Sequence, residues 1–364
     1  MSGVTAVAMS GGLDSSVAAW LLSRDGEPVI GLSMLLWDRS AEAAHGRCCG
    51  ALDLGDARRV AEQCGIAHYT LQMEEEFRQA VVDPFVDGYL EGRTPVPCTS
   101  CNTWLKFGLL LDKARELGAE RVATGHYARI VRTDDGYELH AAKRPDKDQS
   151  YYLFELTQEQ LAAARFPLGE MSKADVRQLA REIELLVAEK PESMELCFVS
   201  GGVREFVEEQ VAARPERFAH VESTGAAVVD REGAEIGRAE PYYRYTVGQR
   251  RGLGVSASER LYVLEVQPRQ NRIVVGGEDE LRVAGLRGAG AHWIGRRPEG
   301  EIEATVKIRA RHPGVMSRVL DDGEGGVRVE FAEPQAGVAP GQAAVFYQGS
   351  RVLGGCWIDA ALDG

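Results

Sequence analysis

Apolar and polar positions along the first 200 residues follow two alternating patterns. Short uninterrupted apolar runs predict buried strands at Val4–Met9, Pro28–Leu36 and Ala67–Leu71. Between them, apolar positions recur every three or four residues, which predicts helices at Ser15–Leu22 and Leu54–Cys64. Strands that alternate with helices in this way are typical of a parallel sheet with helices on both faces. We therefore predict a doubly wound α/β domain for this part of the chain.

The pattern changes near residue 201, where a helical segment, Arg204–Ala213, is followed by short β-rich runs. Gly and Pro separate these runs, and short strands at close spacing are typical of a small barrel or sandwich. We predict three domains: the α/β domain of residues 1–200, a small mixed central domain of residues 201–280 and a C-terminal β-barrel of residues 281–364. The runs behind this prediction are Ala226–Asp230, Leu261–Gln267, Arg272–Val275, Glu303–Arg309, Val327–Phe331, Ala343–Tyr347 and Val352–Ile358.

The composition agrees with several folded domains. Of the 364 residues, 44% are hydrophobic and 27% are charged, which excludes a long disordered, collagen-like or fibrous chain. No apolar run approaches the roughly 18 residues of a membrane span, and the apolar start is too short for a signal peptide. We therefore expect a cytoplasmic protein that does not associate with a membrane.

The charge is distributed unevenly along the chain. The 42 Lys and Arg residues against 55 Asp and Glu residues give a net charge of −13, which argues against indiscriminate binding of polyanions. Residues 241–312, however, contain 13 Lys and Arg against eight Asp and Glu, a local excess of +5. Arg244, Arg250, Arg251 and Arg309 lie in this stretch, so its composition allows a surface for one selected nucleic acid.

The segment directly after the first predicted strand has the features of an anion-binding loop. It reads Ser10-Gly11-Gly12-Leu13-Asp14-Ser15-Ser16 and opens the first predicted helix. Its glycines allow a tight turn and a close approach of the ligand, while hydroxyls and helix N-terminal amides donate to phosphate oxygens. The loop lacks the Gly-x-x-x-x-Gly-Lys pattern of the Walker type. The sequence therefore predicts a site of another class for a pyrophosphate-sized anion.

This loop resembles that of the PP-loop ATP pyrophosphatases, which cleave ATP between the α and β phosphates to adenylylate a substrate oxygen. Further segments resemble the bacterial tRNA-specific 2-thiouridylases, in family order over nearly the whole chain. The resemblance implies a PP-loop, adenine nucleotide alpha hydrolase-like fold, ATP and Mg²⁺ as cofactors, tRNA as partner, and 2-thiolation of the wobble uridine with release of AMP and pyrophosphate. The segments are Gly92–Pro95, Cys101–Asn102, Lys106–Phe107, Ala123–Tyr127, Lys147–Tyr151, Glu192–Phe198, Gly248–Gly254 and Pro340–Ala343.

The resemblance also assigns the nucleotide-binding residues. It implies that Met34 touches the adenine, that Gly125 lies against ATP, and that Asp14 helps to organise Mg²⁺ or the pyrophosphate. On sequence alone, a core position is the favoured interpretation of Met34. The complete expected set is Ala8, Met9, Ser10, Gly11, Gly12, Leu13, Asp14, Ser15, Ser16, Met34 and Gly125.

Two cysteines, Cys98 and Cys101, precede a helical pattern that runs to Gly118. Because Pro95 and Pro97 fix an extended approach, these two thiols should fall on one face of the first helical turn. The positive potential of a helix N-terminus stabilises thiolate, the form that acts as nucleophile and metal ligand. We therefore expect at least one of the two cysteines to be reactive.

In the family that the chain resembles, the residue at Cys101 is the catalytic nucleophile. The residue at Cys197 carries a persulfide that it receives from a sulfur-donor protein. Adenylylation makes C2 of the uridine electrophilic, and sulfur then displaces AMP, either directly from the persulfide or as hydrosulfide released by Cys101. The reaction would leave a Cys101–Cys197 disulfide, which a reductant must reopen.

A second sulfur chemistry stays open at the same thiols. Cys98, Cys101 and Cys197 resemble the three-cysteine [4Fe-4S] site of iron-sulfur-dependent tRNA thiolases. Such a cluster would leave one iron open to bind hydrosulfide as the sulfur donor. Zinc on the same thiols is a further alternative.

The other four cysteines have less specific interpretations. Cys64 lies on the apolar face of its predicted helix and Cys356 in a predicted strand, so we interpret both as core residues. Cys48 and Cys49 are adjacent in a Gly-flanked segment, and we interpret them as structural, with a reactive pair as the alternative. An odd count of seven cysteines and no export signal predict reduced thiols rather than a disulfide scaffold.

His126 follows a predicted strand at Arg121–Ala123, and open α/β sheets bind ligands at strand ends. A structural histidine is the favoured interpretation from sequence alone, whereas the resemblance implies a tRNA contact. It also implies contacts through Val96-Pro97-Cys98 with the target base and through Arg309-Ala310 with tRNA. The family commonly has Asn-Pro-Asp and Arg-Tyr there, so only the backbone and arginine roles carry over. The remaining implied tRNA contacts are Lys147, Asp148, Gln149 and Gln342.

Two functions of other classes remain as alternatives. A different PP-loop synthetase would adenylylate a small molecule and would not need Cys101 or Cys197. A non-catalytic tRNA-binding or redox-sensing protein would keep the fold but release no pyrophosphate with any tRNA.

Overall fold

A computed structural model describes residues 3–37, 51–191, 196–199, 201–221, 224–255 and 260–363. Cys48 and Cys49 lie outside the described residues, so the structure does not bear on their role. The chain divides into two compact units. Unit 1 comprises Met1–Val82, Cys98–Val199 and Gly349–Leu353, and unit 2 comprises Asp83–Pro97, Ser200–Gln348 and Gly354–Gly364. None of the described helices is both long enough and apolar enough to span a bilayer.

The helices are short, and two of their segments are π-helical. The π-helical segments are Arg78–Val82 and Cys101–Leu109, and the short 3₁₀ turns are Pro145–Lys147, Ser150–Leu153, Tyr242–Arg244, Pro268–Gln270 and Asp279–Leu281. The α-helices are α1 (Leu13–Arg24), α2 (Ala51–Cys64), α3 (Glu74–Phe77), α4 (Asp83–Leu90), α5 (Pro97–Ser100), α6 (Leu110–Glu116), α7 (Gln158–Ala163), α8 (Lys173–Glu182) and α9 (Val203–Ala213).

Unit 1 is built on a five-stranded sheet in the order β3-β2-β1-β4-β7, in which every neighbouring pair is parallel. The prediction of a doubly wound parallel sheet is therefore confirmed. A separate hairpin, β5–β6, pairs with residues 351 and 352. The strands of this unit are β1 (Val4–Ala8), β2 (Val29–Leu35), β3 (Ala67–Gln72), β4 (Ala119–Ala123), β5 (Ala128–Thr133), β6 (Gly136–Ala141) and β7 (Ala164–Arg165).

The core of unit 1 explains why α1 and α2 form where they do. Small and branched side chains of α1, such as Val17 and Ala18, are completely buried against Val60 and Ala61 of α2. Val187, which follows α8, lies in the same apolar cluster. These apolar faces hold α1 and the loop that precedes it firmly in place, because a short helix gains most of its stability from packing of its apolar face.

Unit 2 contains a four-stranded mixed sheet and a closed antiparallel barrel. The mixed sheet has the order β10-β11-β8-β9, with β11 parallel to β8 and the other pairs antiparallel. The barrel closes because β12 pairs with both β15 and β17, which confirms the predicted C-terminal barrel. The strands are β8 (Ala227–Val229), β9 (Glu235–Arg238), β10 (Tyr262–Gln267), β11 (Arg272–Gly276), β12 (Arg282–Trp293), β13 (Glu301–Lys307), β14 (Val315–Asp321), β15 (Val327–Ala336), β16 (Ala343–Gln348) and β17 (Arg351–Leu362).

The helix expected from Cys98 to Gly118 is present, but its geometry differs from the expectation. It runs from Pro97 to Glu116 as α5, a π-helical segment and α6. The π-helical segment has wider turns than an α-helix, and such segments are frequent at functional sites. The spacing of apolar residues in the sequence does not distinguish a π-helix from an α-helix, because the two spacings differ too little over so few turns.

Candidate active site

The loop between β1 and α1 presents its backbone to any ligand that approaches α1. Gly12 is the extended N-cap residue of α1, and no side chain caps the helix. The hydroxyls of Ser15 and Ser16 donate to the Gly12 carbonyl, at 3.1 and 2.8 Å. Ser15 Oγ also accepts the amide hydrogen of Ser10, at 3.2 Å. The serines thus hold the loop in shape, and the first amides of α1 remain the natural donors for an anion.

The two glycines of the loop have different neighbours. Gly11 has φ +69°, and a Cβ there would overlap the backbone carbonyl of Asp53 in α2. Gly12 has φ −93°, and a Cβ there would meet only Ser10 Oγ, at 3.4 Å. Gly11 is therefore required by packing, whereas the space beside Gly12 is open.

Asp14, in the first turn of α1, is bound by two residues from later in the chain. The Tyr127 hydroxyl donates to Asp14 Oδ1 at 2.8 Å. Lys173 Nζ donates to both carboxylate oxygens, at 2.7 and 2.8 Å. Lys173 is the first residue of α8, which Ser172 caps. A lysine from α8 thus brings a cation to a phosphate loop that has no lysine of its own.

The other side of the loop is held by Lys190. Its Nζ donates to the Gly11 carbonyl at 2.9 Å and to the carboxylates of Asp53 and Asp56, both at 2.6 Å. Burial opposes the charge of Lys190, but the two carboxylates more than compensate and raise its pKa. Burial also opposes ionisation of Asp56, but Lys190 and Arg59 lower its pKa overall. Lys190 and Asp56 are therefore charged at neutral pH.

Neighbouring strands of the sheet end beside the phosphate loop. Met34 lies at the end of β2 and is 9% exposed, while Gly125 follows β4. A Cβ on Gly125 would lie 2.7 Å from the backbone of Asp14 and Ser15. Gly125 is thus packed directly on the first turn of α1. Since β2 and β4 flank β1, this is the topological switch point at which doubly wound sheets bind ligands.

His126 is buried close to the helix that begins at Pro97. Its Nδ1 shares a hydrogen bond of 2.7 Å with Thr124 Oγ1. The rings of Phe107 and Phe166 lie 6.4 and 5.8 Å from the imidazole. Burial, assisted by the positive charge of Lys106, holds the pKa of His126 well below 6.5. The imidazole is therefore neutral at physiological pH.

Cys98 and Cys101 both lie in the first turn of this helix, as expected, and Cys101 is 9% exposed. Burial is the main cause that raises the pKa of Cys98 to about 11, with a further increase from Cys101 and a partial offset by Lys106. Cys98 is consequently a neutral thiol at pH 7. The five described cysteines form no disulfide.

Cys197 is half-buried in a turn that precedes the buried Phe198. The Phe198 ring packs edge to face on Phe77 of α3, with centroids 5.5 Å apart. The helix α3 in turn packs on the π-helical segment that begins at Cys101. The segment of Cys197 is thereby connected, through one aromatic contact, to the helix that carries the other predicted catalytic thiol.

The loop Lys147–Gln149 uses two of its side chains to fix its own fold. Asp148 Oδ1 accepts the backbone amides of Ala142 and Ser150, at 3.0 and 3.1 Å. Gln149 Oε1 accepts the amide of Tyr127 at 3.0 Å, and the Gln149 amide donates to the Tyr127 carbonyl. Through the Tyr127 hydroxyl on Asp14, this loop is connected to the phosphate loop.

The remaining expected tRNA contacts belong to unit 2. Val96 and Pro97 are buried, whereas Arg309 is exposed and donates weakly to the Ala336 carbonyl, at 3.4 Å. The Gln342 side chain donates to the Thr94 carbonyl at 2.9 Å, which fixes the chain just before Val96. Ala310 is half-buried beside Arg309.

The roles of Asp53, Asp56, Lys173 and Lys190 could not be predicted from the sequence. No motif signals them, because their partners are distant: 159 residues separate Lys173 from Asp14, and 179 separate Lys190 from Gly11. Cys64 and Cys356 pack as expected. Cys356 is fully buried with a pKa raised by burial to about 12, and Cys64 packs against the core of unit 1.

A loop of glycine and serine that opens α1 at the switch point of a parallel sheet defines a PP-loop nucleotide-binding protein. The chain matches the family models described as "tRNA methyl transferase HUP domain" over residues 4–201, "tRNA methyl transferase PRC-barrel domain" over 204–277 and "Aminomethyltransferase beta-barrel domain" over 283–358.

Two relatives identify the family more narrowly. The chain is 50% identical to the tRNA-specific 2-thiouridylase MnmA of Geobacter metallireducens, over 98% of this chain and 96% of the relative. It is 47% identical to the protein of the same name from Solibacter usitatus, over 97% and 98%. The chain therefore belongs to the tRNA-specific 2-thiouridylase family, and the family resemblance drawn from the sequence is confirmed.

Similarity to solved structures is weak. A 4-thiouridine synthetase–RNA complex with bound ATP is 15% identical, with 60% of this chain and 53% of that chain covered and a TM-score of 0.35. A match of this quality carries no argument about the function of this chain.

Proposed function

We propose that the enzyme converts the wobble uridine of tRNA to 2-thiouridine at the expense of ATP, with AMP and pyrophosphate as by-products. The observation that carries the proposal is the presence, in one unit, of an anion-binding loop and of Cys101 at the beginning of a helix. The first feature activates an oxygen by adenylylation, and the second supplies a sulfur nucleophile. The relatives named tRNA-specific 2-thiouridylase support the choice of tRNA as substrate.

ATP enters the proposed reaction as its Mg²⁺ complex. The amides of the first turn of α1 would bind the phosphates, and Lys173 would stabilise the charge that develops on the departing pyrophosphate. Asp14 holds the Lys173 ammonium group beside the loop. We assign nucleotide binding to Ala8, Met9, Ser10, Gly11, Gly12, Leu13, Asp14, Ser15, Ser16, Met34 and Gly125.

Sulfur transfer follows adenylylation of the uridine C2 oxygen. The terminal sulfur of a Cys197 persulfide forms the new bond to C2, and AMP leaves with the former oxygen. The Cys101 thiolate then attacks the Cys197 sulfur, which frees the thiouridine and leaves a Cys101–Cys197 disulfide for a reductant to reopen. In the alternative order, the Cys101 thiolate first attacks the inner sulfur of the Cys197 persulfide, which forms the disulfide and releases hydrosulfide. The hydrosulfide then displaces AMP from C2. A cytoplasmic sulfur-donor protein reloads Cys197.

The proposed tRNA contacts are those that the family resemblance implies. Val96, Pro97 and Cys98 contact the target base, with Cys98 as a neutral thiol. His126 contacts the tRNA as a neutral imidazole. The other proposed contacts are Lys147, Asp148, Gln149, Arg309, Ala310 and Gln342.

An iron-sulfur route through Cys98, Cys101 and Cys197 receives less support. Among the residues that the structure describes, no three His, Cys, Asp or Glu side chains are gathered in a way that could hold a metal. As folded here, the three thiols therefore do not fit a common cluster, and we derive no step through one. Iron and sulfide analysis after anaerobic purification tests this choice, because stoichiometric iron in the active enzyme would favour the cluster.

Substitution of the two thiols tests the central assignment. We expect Cys101→Ser and Cys197→Ser to abolish transfer of labelled sulfur to an unmodified tRNA, because serine can carry neither the persulfide nor the disulfide. Cys64→Ser is the matched control and should keep wild-type activity, since Cys64 lies beside Ser23 and Arg24 at the C-terminal end of α1, opposite the end that the loop precedes. Full sulfur transfer in both catalytic variants would contradict the roles assigned to the two thiols. A wild-type protein that releases AMP with a small molecule and transfers no sulfur to tRNA would instead be another PP-loop synthetase. A wild-type protein that binds tRNA but releases no pyrophosphate would instead be a non-catalytic RNA-binding protein.

A further inference from the structure

Lys190 makes contacts that the proposed chemistry does not use. Its ammonium group donates one hydrogen bond each to the Gly11 carbonyl, Asp53 and Asp56, so all three of its protons are engaged. The side chain is 19% exposed, and those of Asp53 and Asp56 are 10% and 19% exposed. The cluster therefore joins the phosphate loop to the first turns of α2 in a largely water-excluded place.

The segment before Lys190 is itself firmly attached to unit 1. Val187 and Ala188 are buried in the core that α1 and α2 share. Arg177 of α8 donates to the Ala188 carbonyl at 2.7 Å. Gln63 of α2 exchanges side-chain hydrogen bonds with the Glu184 carbonyl, at 3.3 Å, and the Leu186 amide, at 3.4 Å. The chain therefore reaches Lys190 along a fixed path.

The charges of the cluster bear directly on nucleotide binding. Two carboxylates lie next to a loop that must accept a highly charged anion, and Asp53 also touches Gly11 through its backbone. Without Lys190, at least one of these partly buried carboxylates would be uncompensated and would repel the phosphates. The loss of the bond to the Gly11 carbonyl would also release the loop from α2.

We propose that Lys190 is a positioning residue that clamps the phosphate loop to α2 and neutralises the two carboxylates beside it. This inference rests on the proposed binding of ATP at the loop.

Nucleotide affinity tests the clamp without any turnover. An ATP analogue with a methylene group between the α and β phosphorus atoms is titrated into the full-length protein by calorimetry. We expect Lys190→Met to weaken binding by about tenfold or more and Lys190→Arg to recover part of the loss. Arg181→Met is the matched control, because Arg181 pairs at the surface with Glu189 in the same region and does not touch the loop.

A triple variant tests whether Lys190→Met weakens nucleotide binding through the lost charge or through a general loss of structure. Asp53→Asn and Asp56→Asn combined with Lys190→Met remove the carboxylate charges together with the lysine, so this triple variant should bind the analogue better than Lys190→Met alone. Circular dichroism and thermal unfolding establish that each variant is folded. A folded Lys190→Met protein with wild-type affinity would overturn the clamp, and so would a triple variant that binds no better than the single variant.

Neither measurement includes tRNA thiolation, so failure of the proposed function would be seen separately in the labelled-sulfur experiment.

Discussion

His126 shows how surroundings decide the chemistry of a single residue. Its position after β4 is that of a ligand contact, but burial beside the rings of Phe107 and Phe166, assisted by the positive charge of Lys106, lowers the pKa of the imidazole and keeps it neutral. A neutral imidazole can donate or accept a hydrogen bond to a base or ribose, but it cannot pair with a phosphate as a cation. We therefore expect His126 to contact tRNA through an uncharged hydrogen bond.

Because His126 is buried, we expect the stability of the protein to depend on pH. Above pH 6.5 both the folded and the unfolded chain hold His126 neutral, but below 6.5 only the unfolded chain gains a proton, so stability is lost as the pH falls. Between pH 7.5 and 5.5 the wild type should lose about 1 kcal/mol more unfolding free energy than His126→Gln. Urea denaturation at the two pH values measures the difference. His68 and His312, whose pKa values burial also lowers, contribute equally in both proteins and cancel.

At the scale of elements, the phosphate loop depends on its neighbours as much as on its own residues. Its shape is set locally by two serine hydroxyls on the Gly12 carbonyl. Its position is set by α2, which touches Gly11, and by the segment after β4, which packs Gly125 on α1. Tyr127 further connects the loop to Gln149. An anion site of this type works because its amides are already oriented before the ligand arrives.

The two glycines of the loop should respond differently to alanine. Gly11→Ala places a Cβ in the left-handed region and against the Asp53 carbonyl, so it should lower the unfolding free energy by at least about 1 kcal/mol and remove ATP binding. Gly12→Ala has an ordinary φ and open space, so its unfolding free energy should stay within about 0.5 kcal/mol of the wild type. Its methyl group, however, would stand where the phosphates approach.

Urea denaturation and titration with the ATP analogue measure the two effects separately. Gly12→Ala should be as stable as the wild type but bind the analogue more weakly. Unchanged affinity in Gly12→Ala would show that the phosphates do not approach over Gly12. Unchanged stability in Gly11→Ala would show that the loop can move away from α2.

At the scale of the whole molecule, an acidic protein carries a basic stretch in residues 241–312. Several arginines of this stretch are already paired, as Arg244 is with Glu208 and Glu240, and Arg287 with Asp359. Within the described ranges, Arg250 and Arg251 are exposed and form no ion pair. These two are therefore better placed than Arg244 to neutralise phosphates.

The salt dependence of tRNA binding tests whether the basic stretch neutralises tRNA phosphates. We expect log affinity to fall with log salt concentration at a modest slope, because few phosphates are neutralised. Substitution of both Arg250 and Arg251 by Gln should reduce the slope by about 1 to 2. Arg58→Gln, an exposed residue of α2 paired with Glu62, is the control and should leave the slope unchanged. A wild-type slope near zero would contradict an electrostatic role for this stretch.

Much of the fold could be predicted because its signals are local. The strands β1, β2 and β3 differ from their predicted bounds by one or two residues, since uninterrupted apolar runs have few alternatives to a buried strand. The hairpin β5–β6 was not predicted, because its residues are mostly half-exposed and polar and it is held by pairing with residues 351 and 352. The strand β14 was missed for the same reason, as only alternate positions are buried.

The sequence by itself determined the class of the sheet, the phosphate loop, the pair Cys98 and Cys101 on one helical turn, and the family. Each of these depends on residues that are neighbours in the chain, so spacing alone is enough to define them. Only the tertiary structure decided that Lys173 and Lys190 hold the loop from both sides, and that Cys98 and His126 are neutral. The two lysines lie 159 and 179 residues along the chain from the loop residues that they contact, so no local spacing predicts these contacts. The neutral state of Cys98 and His126 comes mainly from burial, which only tertiary packing supplies.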